Sequence, residues 1–212
     1  MTPPALLIDT HCHLDAAYVP EGPDAVLARA MRVGVRGFVV VGVGATPDAA
    51  RAALAIARAR PHVVASVGVH PHDAAVADEA HCAEIERLAL DARVVAVGEI
   101  GLDYHYDRSP RETQREVFRR FIALARARKK PIVVHTRNAP DDTLAILREG
   151  GAAEVGGVIH CFSEDRAFAR EALDLGFDLS FSGIVTFKNA QAVQDVAAWA
   201  PEGRILIETD SP

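Results

Sequence analysis

Leu6-Leu7-Ile8-Asp9-Thr10-His11-Cys12-His13 is the stretch on which the fold turns. Its apolar opening, Leu6–Asp9, reads as a buried strand. The residues after it are equally informative. A doubly wound nucleotide-binding sheet carries a glycine-rich turn straight after its first strand, and here that place holds Thr10-His11-Cys12-His13. In an extended chain alternate side chains share a face, so His11 and His13 point the same way with Asp9 one step below them. That arrangement presents two imidazoles to one metal ion, although a lone His-x-His is weak evidence by itself.

Outward from this segment, apolar β-branched runs alternate with amphipathic stretches. The candidate strands are Leu6–Asp9, Gly37–Val43, Val63–Val69, Val94–Glu99, Ile132–His135, Gly157–His160, Leu179–Ser182 and Ile205–Glu208. Helical periodicity falls between them at Asp24–Val33, Pro47–Arg60, Asp78–Leu90, Arg111–Arg128, Asp141–Arg148, Arg166–Leu175 and Ala190–Trp199. Strict alternation with continuous apolar strands implies a parallel sheet covered by helices, and this number of repeats predicts a closed (β/α)8 TIM barrel. The 212 residues suit one domain.

A barrel gathers catalytic groups at the C-terminal ends of its strands. Those ends carry His11 and His13, His70, Glu99, His135, His160 and, just past the last strand, Asp210; five of the nine histidines are among them. Alternation puts His135 on a face with Val133 and Arg137, His160 with Val158, Glu99 with Val97, and Asp210 with Glu208. Singly, each residue has a plain structural reading; jointly they converge. His11, His13, Glu99, His135, His160 and Asp210 exceed the needs of one tetrahedral zinc, whereas two ions about 3.5–4 Å apart, bridged by a carboxylate, use all six.

The net charge of −6 argues against a broad nucleic-acid-coating surface, but not against a nuclease whose cations and local arginines meet phosphate. No apolar segment approaches membrane-spanning length and the N-terminus lacks a leader pattern, so a cytoplasmic protein without a membrane is expected. Nor does any obligatory protein partner emerge. Cys12, Cys82 and Cys161 read as packed thiols, with Cys12 and Cys161 turned away from the neighbouring ligands.

The chain resembles the TatD family of metal-dependent deoxyribonucleases among the amidohydrolase-like barrels. The resemblance rests on Asp9-Thr10-His11-Cys12-His13-Leu14-Asp15, Gly68-Val69-His70-Pro71-His72, Gly98-Glu99-Ile100-Gly101-Leu102-Asp103-Tyr104, Pro131-Ile132-Val133-Val134-His135-Thr136-Arg137, His160-Cys161-Phe162-Ser163, Ser182-Gly183-Ile184-Val185-Thr186-Phe187-Lys188 and Glu208-Thr209-Asp210-Ser211-Pro212, in family order. It implies that His11, His13 and Asp210 hold one ion, that His135 and His160 hold the other, and that Glu99 bridges them. His70, His72 and Arg137 are implied to meet substrate phosphate.

This chain has Glu164 where the family usually reads glycine after His-Cys-Phe-Ser. The family also continues beyond Asp-Ser-Pro into a last covering helix. The barrel is therefore expected to be C-terminally truncated, with Ile205 and Ile207 uncovered.

The implied activity is hydrolysis of DNA phosphodiesters, from a chain end in the sense of an exonuclease, by a metal-activated hydroxide formed as Asp210 accepts the water's proton. Glu99 sets the metal spacing and Arg137 forks the phosphate. The family points to Mg2+, while an imidazole-rich set also suits Zn2+ or Mn2+. The alternatives are an amidohydrolase acting on a small phosphoester or lactone, and a catalytically impaired metal-binding fragment. Many amidohydrolases bridge their metals with a carboxylated lysine. Here the only lysines are Lys129, Lys130 and Lys188, none near the fourth strand, where Glu99 stands instead.

Four further readings concern neighbouring residues. Glu208 is either an orienting partner of a ligand or a structural salt bridge. Asp103, Tyr104 and His105 read as loop packing. Arg108, Arg111 and Arg115 extend a phosphate track, and Arg126 to Lys130 complement a helix C-terminus. No platform of exposed aromatics for base stacking is evident.

Overall fold

The computed structural model describes residues 6–15 and 19–211. The leader reading of residues 1–5 lies outside the described residues, as does Pro212. Eight parallel strands stand in spatial order β1 to β8: β1 Leu7–Cys12, β2 Val35–Gly42, β3 Val63–Val67, β4 Val94–Asp103, β5 Ile132–Arg137, β6 Gly157–Ile159, β7 Phe177–Phe181 and β8 Ile205–Ile207. Between them run α1 Pro23–Arg32, α2 Asp48–Ala59, α3 Glu79–Leu88, α4 Arg111–Arg128, α5 Pro140–Glu149, α6 Arg166–Asp174 and α7 Gln191–Trp199. This is the expected (β/α)8 TIM barrel.

Small residues let the helices lie close. A Cβ on Gly42 of β2 would stand 2.6 Å from Ala50 Cα, so only glycine admits α2 at that distance. The helix presents Ala50, Ala53, Leu54 and Ala57 to the sheet. Against β4 the longest helix, α4, buries Phe118, Phe121 and Ile122 completely.

The circle closes between β8 and β1 without a regular ladder. Asp210 N–H donates to His11 O at 3.0 Å and His13 N–H to Ser211 O at 2.7 Å. Asp9 clamps the seam: Oδ1 accepts Thr209 N–H at 2.9 Å and Oδ2 accepts the Thr209 hydroxyl at 2.7 Å. Outside this seam Leu6, Ile8 and Ile207 are exposed and Ile205 is half-buried.

The cationic run at the end of α4 serves neighbouring elements as well as its own helix end, which is a correction. Lys129 caps α4 in a left-handed conformation. Lys130 Nζ donates to the carbonyls of Ala89, Asp91 and Val94 at 2.6, 2.9 and 2.5 Å, stapling the α3–β4 connection from below. Arg126 binds Gly150 O and Glu154. Lys130→Met strands three carbonyls, and an expected loss of about 2 kcal/mol appears as a fall of roughly 4–8 °C in melting temperature. A shift below about 1 °C by calorimetry contradicts the staple.

Candidate metal centre

Glu99 is the hub of the C-terminal face. It sits on β4 where the register against β5 slips between Gly98 and Ile100, and its carboxylate is almost wholly buried. Oε2 faces His11 Nε2 at 3.4 Å. Oε1 faces His160 Nε2 at 2.7 Å, His135 Nδ1 at 2.9 Å and His70 Nε2 at 3.3 Å. Asp210 Oδ1 stands 3.6 Å from His11 Nε2 and 3.8 Å from His13 Nε2. Donors sharing one ion at about 2.0–2.2 Å stand roughly 3–3.5 Å apart, and the separations here, 2.7 to 3.8 Å, straddle that range.

Three triplets of donor atoms lie within 4.8 Å of one another: His11, His13 and Glu99; His11, His160 and Asp210; and His70, Glu99 and His135. All six expected ligands fall in these triplets. His70 joins them too, although the sequence placed it only at the substrate.

The chemistry of the set fits a cation. His11 is fully buried, and neither ring nitrogen has a hydrogen-bond partner among the described residues. A buried imidazole left without partners is costly unless something else meets its lone pair. Burial raises the Glu99 carboxyl, but His160, His70, His11 and His135 together hold it well below the usual carboxylate range. Burial lowers His160, yet Glu99 and then Glu208 push its imidazole well above the ordinary histidine value. The carboxylates thus make the pocket favour positive charge.

Two buried carboxylates stand behind the histidines. Glu208 Oε1 lies 3.3 Å from His160 Nδ1 and accepts Cys161 N–H at 2.5 Å, while Oε2 accepts the Ser180 hydroxyl at 2.7 Å. Glu208 is thus buried against His160, the placement that both of its sequence readings, orienting partner and salt bridge, require. Asp103, read as loop packing, is completely buried at the centre of the site. Its Oδ2 meets His72 Nε2 at 2.9 Å and His135 Nε2 at 3.1 Å, and its Oδ1 accepts the His105 and Tyr106 N–H groups. Held between Asp103 at Nε2 and Glu99 at Nδ1, the His135 imidazole is lowered by burial but raised overall above the ordinary histidine value by these two carboxylates.

The adjacency of β4 and β5 that makes this contact depends on Gly101. At φ +144° a Cβ there would stand 1.9 Å from His135 O. Tyr104 is packed as expected, its hydroxyl donating to Asp142 at 2.5 Å.

The centre opens into a cleft of about 790 Å³ lined by His70, His72, Arg108, Arg137 and Asp210 among others. Three further expectations change. Cys161 does not pack away from the site but lines the cleft, because β6 ends at Ile159 and strand alternation no longer applies; its Sγ lies 3.1 Å from Ser182 Oγ. Burial pushes this thiol up to about 11. Of the three track arginines only Arg108 reaches the cleft, since Arg111 pairs with Asp107 and Arg115 with Glu112 and Asp142. Exposed rings do line the cleft: Tyr106 at 50% and Phe187 at 57% exposure, brought together from separate loops.

A family model described as TatD related DNase matches residues 8–212. The chain belongs to the TatD family of metal-dependent hydrolases. It is 44% identical over 207 residues to the uncharacterized metal-dependent hydrolase YabD of Bacillus subtilis, covering 98% of this chain and 80% of that protein. It is 30% identical over 208 residues to a protein of Musicola paradisiaca named 3'-5' ssDNA/RNA exonuclease TatD, covering 97% and 78%.

Among solved structures the TatD homologue YJJV of Escherichia coli superposes with a TM-score of 0.88 at 30% identity, covering 96% of this chain and 78% of that one. The Glu164 departure from the TatD-family motif leaves His160 in place. Glu164 is half-buried, and this burial raises its carboxyl above the usual carboxylate range. Among the described residues, no helix is long and apolar enough to cross a membrane.

Proposed function

We propose that this protein is a metal-dependent nuclease that hydrolyses phosphodiester bonds of single-stranded DNA from a chain end. The observation that carries the reading is the convergence on Glu99 of four imidazoles, with Asp210 and the cleft-lining Arg137 alongside. The name of the Musicola relative supports a nucleic acid as the substrate class.

In this reading His11, His13 and Asp210 would hold one divalent ion and His135 and His160 a second, with Glu99 serving both. Bound divalent ions supply Lewis acidity at the phosphoryl oxygens and acidify water at neutral pH. Mg2+ is the proposed native metal, with Mn2+ and Zn2+ able to occupy the same donors.

The chain's own groups do the rest. Asp210, its side chain 34% exposed at the cleft surface, accepts the proton of the attacking water and returns it to the leaving oxygen. Arg137 holds the non-bridging oxygens with its planar fork. His72, oriented by Asp103, and His70, whose Nδ1 accepts the His72 N–H at 3.1 Å, line the cleft where that phosphate is placed.

Because Glu208 holds the ring of His160, Glu208→Gln is expected to weaken metal affinity by roughly 10–100-fold. Titration calorimetry giving the wild-type Kd would leave Glu208 a purely structural bond.

Single-stranded DNA labelled at either end, incubated with metal-stripped protein and restored Mg2+, Mn2+ or Zn2+, tests the activity itself. Metal-dependent shortening of the DNA, lost in His135→Ala, is the expected result. Intact DNA despite bound ions would overturn the nuclease reading in favour of a small phosphoester or lactone.

A further inference from the structure

Arginine is the main cation of this acidic protein, and around the cleft most guanidiniums are already committed. Arg111 is paired with Asp107, Arg115 with Glu112 and Asp142, and Arg120 with Glu79 and Glu86. Two are not. Arg108, after β4, and Arg137, at the end of β5, have no carboxylate partner among the described residues, are exposed, and line the same cleft. Exposed cations without counter-charges, at the mouth of a carboxylate-rich centre, are placed for an anion that arrives from solvent.

Their spacing is set by one ring. The Arg137 guanidinium carbon lies 4.8 Å from the Tyr106 ring centroid and that of Arg108 lies 5.5 Å from it, so the two charges are no more than about 10 Å apart. The same ring meets His72 edge-on at 5.5 Å, and His72 shares Asp103 with His135. Residues in contact thus run outward from the donor cluster through Asp103, His72 and Tyr106 to Arg108. Arg137 is only two residues beyond His135, whereas Arg108 sits at the outer end of the series.

We infer that Arg108 is a specificity-determining residue that binds a second phosphate, the one next to the scissile group. The preferred substrate class is therefore a chain bearing at least two phosphates rather than an isolated diester. Tyr106 is the positioning residue that holds both guanidiniums over one face of the cleft. This inference rests on the phosphodiesterase reading above and adds to it the length of substrate that the cleft recognises.

The test compares a thymidine dinucleotide, with one phosphodiester, and a trinucleotide, with two, as substrates of the Mg2+-loaded wild type, Arg108→Ala and Arg108→Lys. Wild type is expected to favour the trinucleotide about tenfold in kcat/KM, Arg108→Ala to bring that ratio near one, and Arg108→Lys to fall between, keeping charge without the fork. On a longer oligonucleotide the slope of log kcat/KM against log salt should flatten by about one in Arg108→Ala, a signature of a lost phosphate contact rather than a disturbed loop. A wild type without preference, or a variant with wild-type ratio and slope, overturns this inference alone. A wild type that cleaves neither substrate overturns the phosphodiesterase reading and this inference together.

Discussion

Glu99→Gln is expected to lower phosphodiester hydrolysis by about 10³-fold or more. The carboxylate has one oxygen toward His11 and the other toward His160, His135 and His70. An amide preserves shape but removes one charge and replaces one oxygen with an NH2 that cannot ligate. The side of the centre that receives the nitrogen loses its donor, and the buried imidazoles lose the anion that offsets an incoming cation. Two effects should therefore appear together: a collapse in kcat and loss of at least one equivalent of tightly bound metal. Steady-state kinetics at several metal concentrations, with elemental analysis of the dialysed variant, read both. Full hydrolysis by Glu99→Gln would mean that Glu99 does not hold the centre together.

Asp210→Asn is expected to reduce kcat by about 10²–10⁴-fold with little change in KM, because the group proposed to accept the water's proton becomes an amide. Asp210 is held for this task by its backbone. Its φ of +52° is tolerated by aspartate, and its N–H donates to His11 O, so the carboxylate projects at the seam where β8 returns to β1. A metal-binding defect and a proton-transfer defect separate under titration. Weakened ligation is rescued by raising metal, whereas a missing proton acceptor leaves kcat low at saturation. Recovery of wild-type kcat at high metal would reduce Asp210 to a ligand.

The barrel was legible because its signal is repetitive. Each strand is a short apolar run, each helix a periodic stretch, and neither needs long-range information. The convergence of the candidate ligands was legible for a related reason: in a parallel barrel a strand end is a place in space, so His11, Glu99, His135 and His160 sort themselves by position in the chain and meet on one face. His62, His81 and His105 are not at such ends, and none joins the donor triplets.

What escaped the sequence depends on contacts between loops or on where a strand stops. Asp103 read as loop because β4 looked finished at Glu99, yet β4 continues to Asp103 and pairs with Arg137 of β5. That pairing carries Asp103 beneath two histidines of other elements. Asp9 gives no local sign that it clamps Thr209, 200 residues away. Cys161 was assigned a face by alternation that ends two residues earlier, and its φ of +43° turns it into the cleft. Tyr106 and Phe187 are single rings in separate loops, so only folding reveals that they border the same cleft. His70 lies at a strand end like the ligands, and only the 3.3 Å approach to Glu99 shows it within reach of a shared ion.

The central claim is a binuclear centre organised by Glu99. Its most direct measurement is an anomalous-scattering map from crystals soaked in Mn2+. The expected result is two peaks about 3.5–4 Å apart, one among His11, His13 and Asp210 and the other beside His135 and His160, with a Glu99 oxygen on each. A single peak, or two peaks that do not share Glu99, contradicts it.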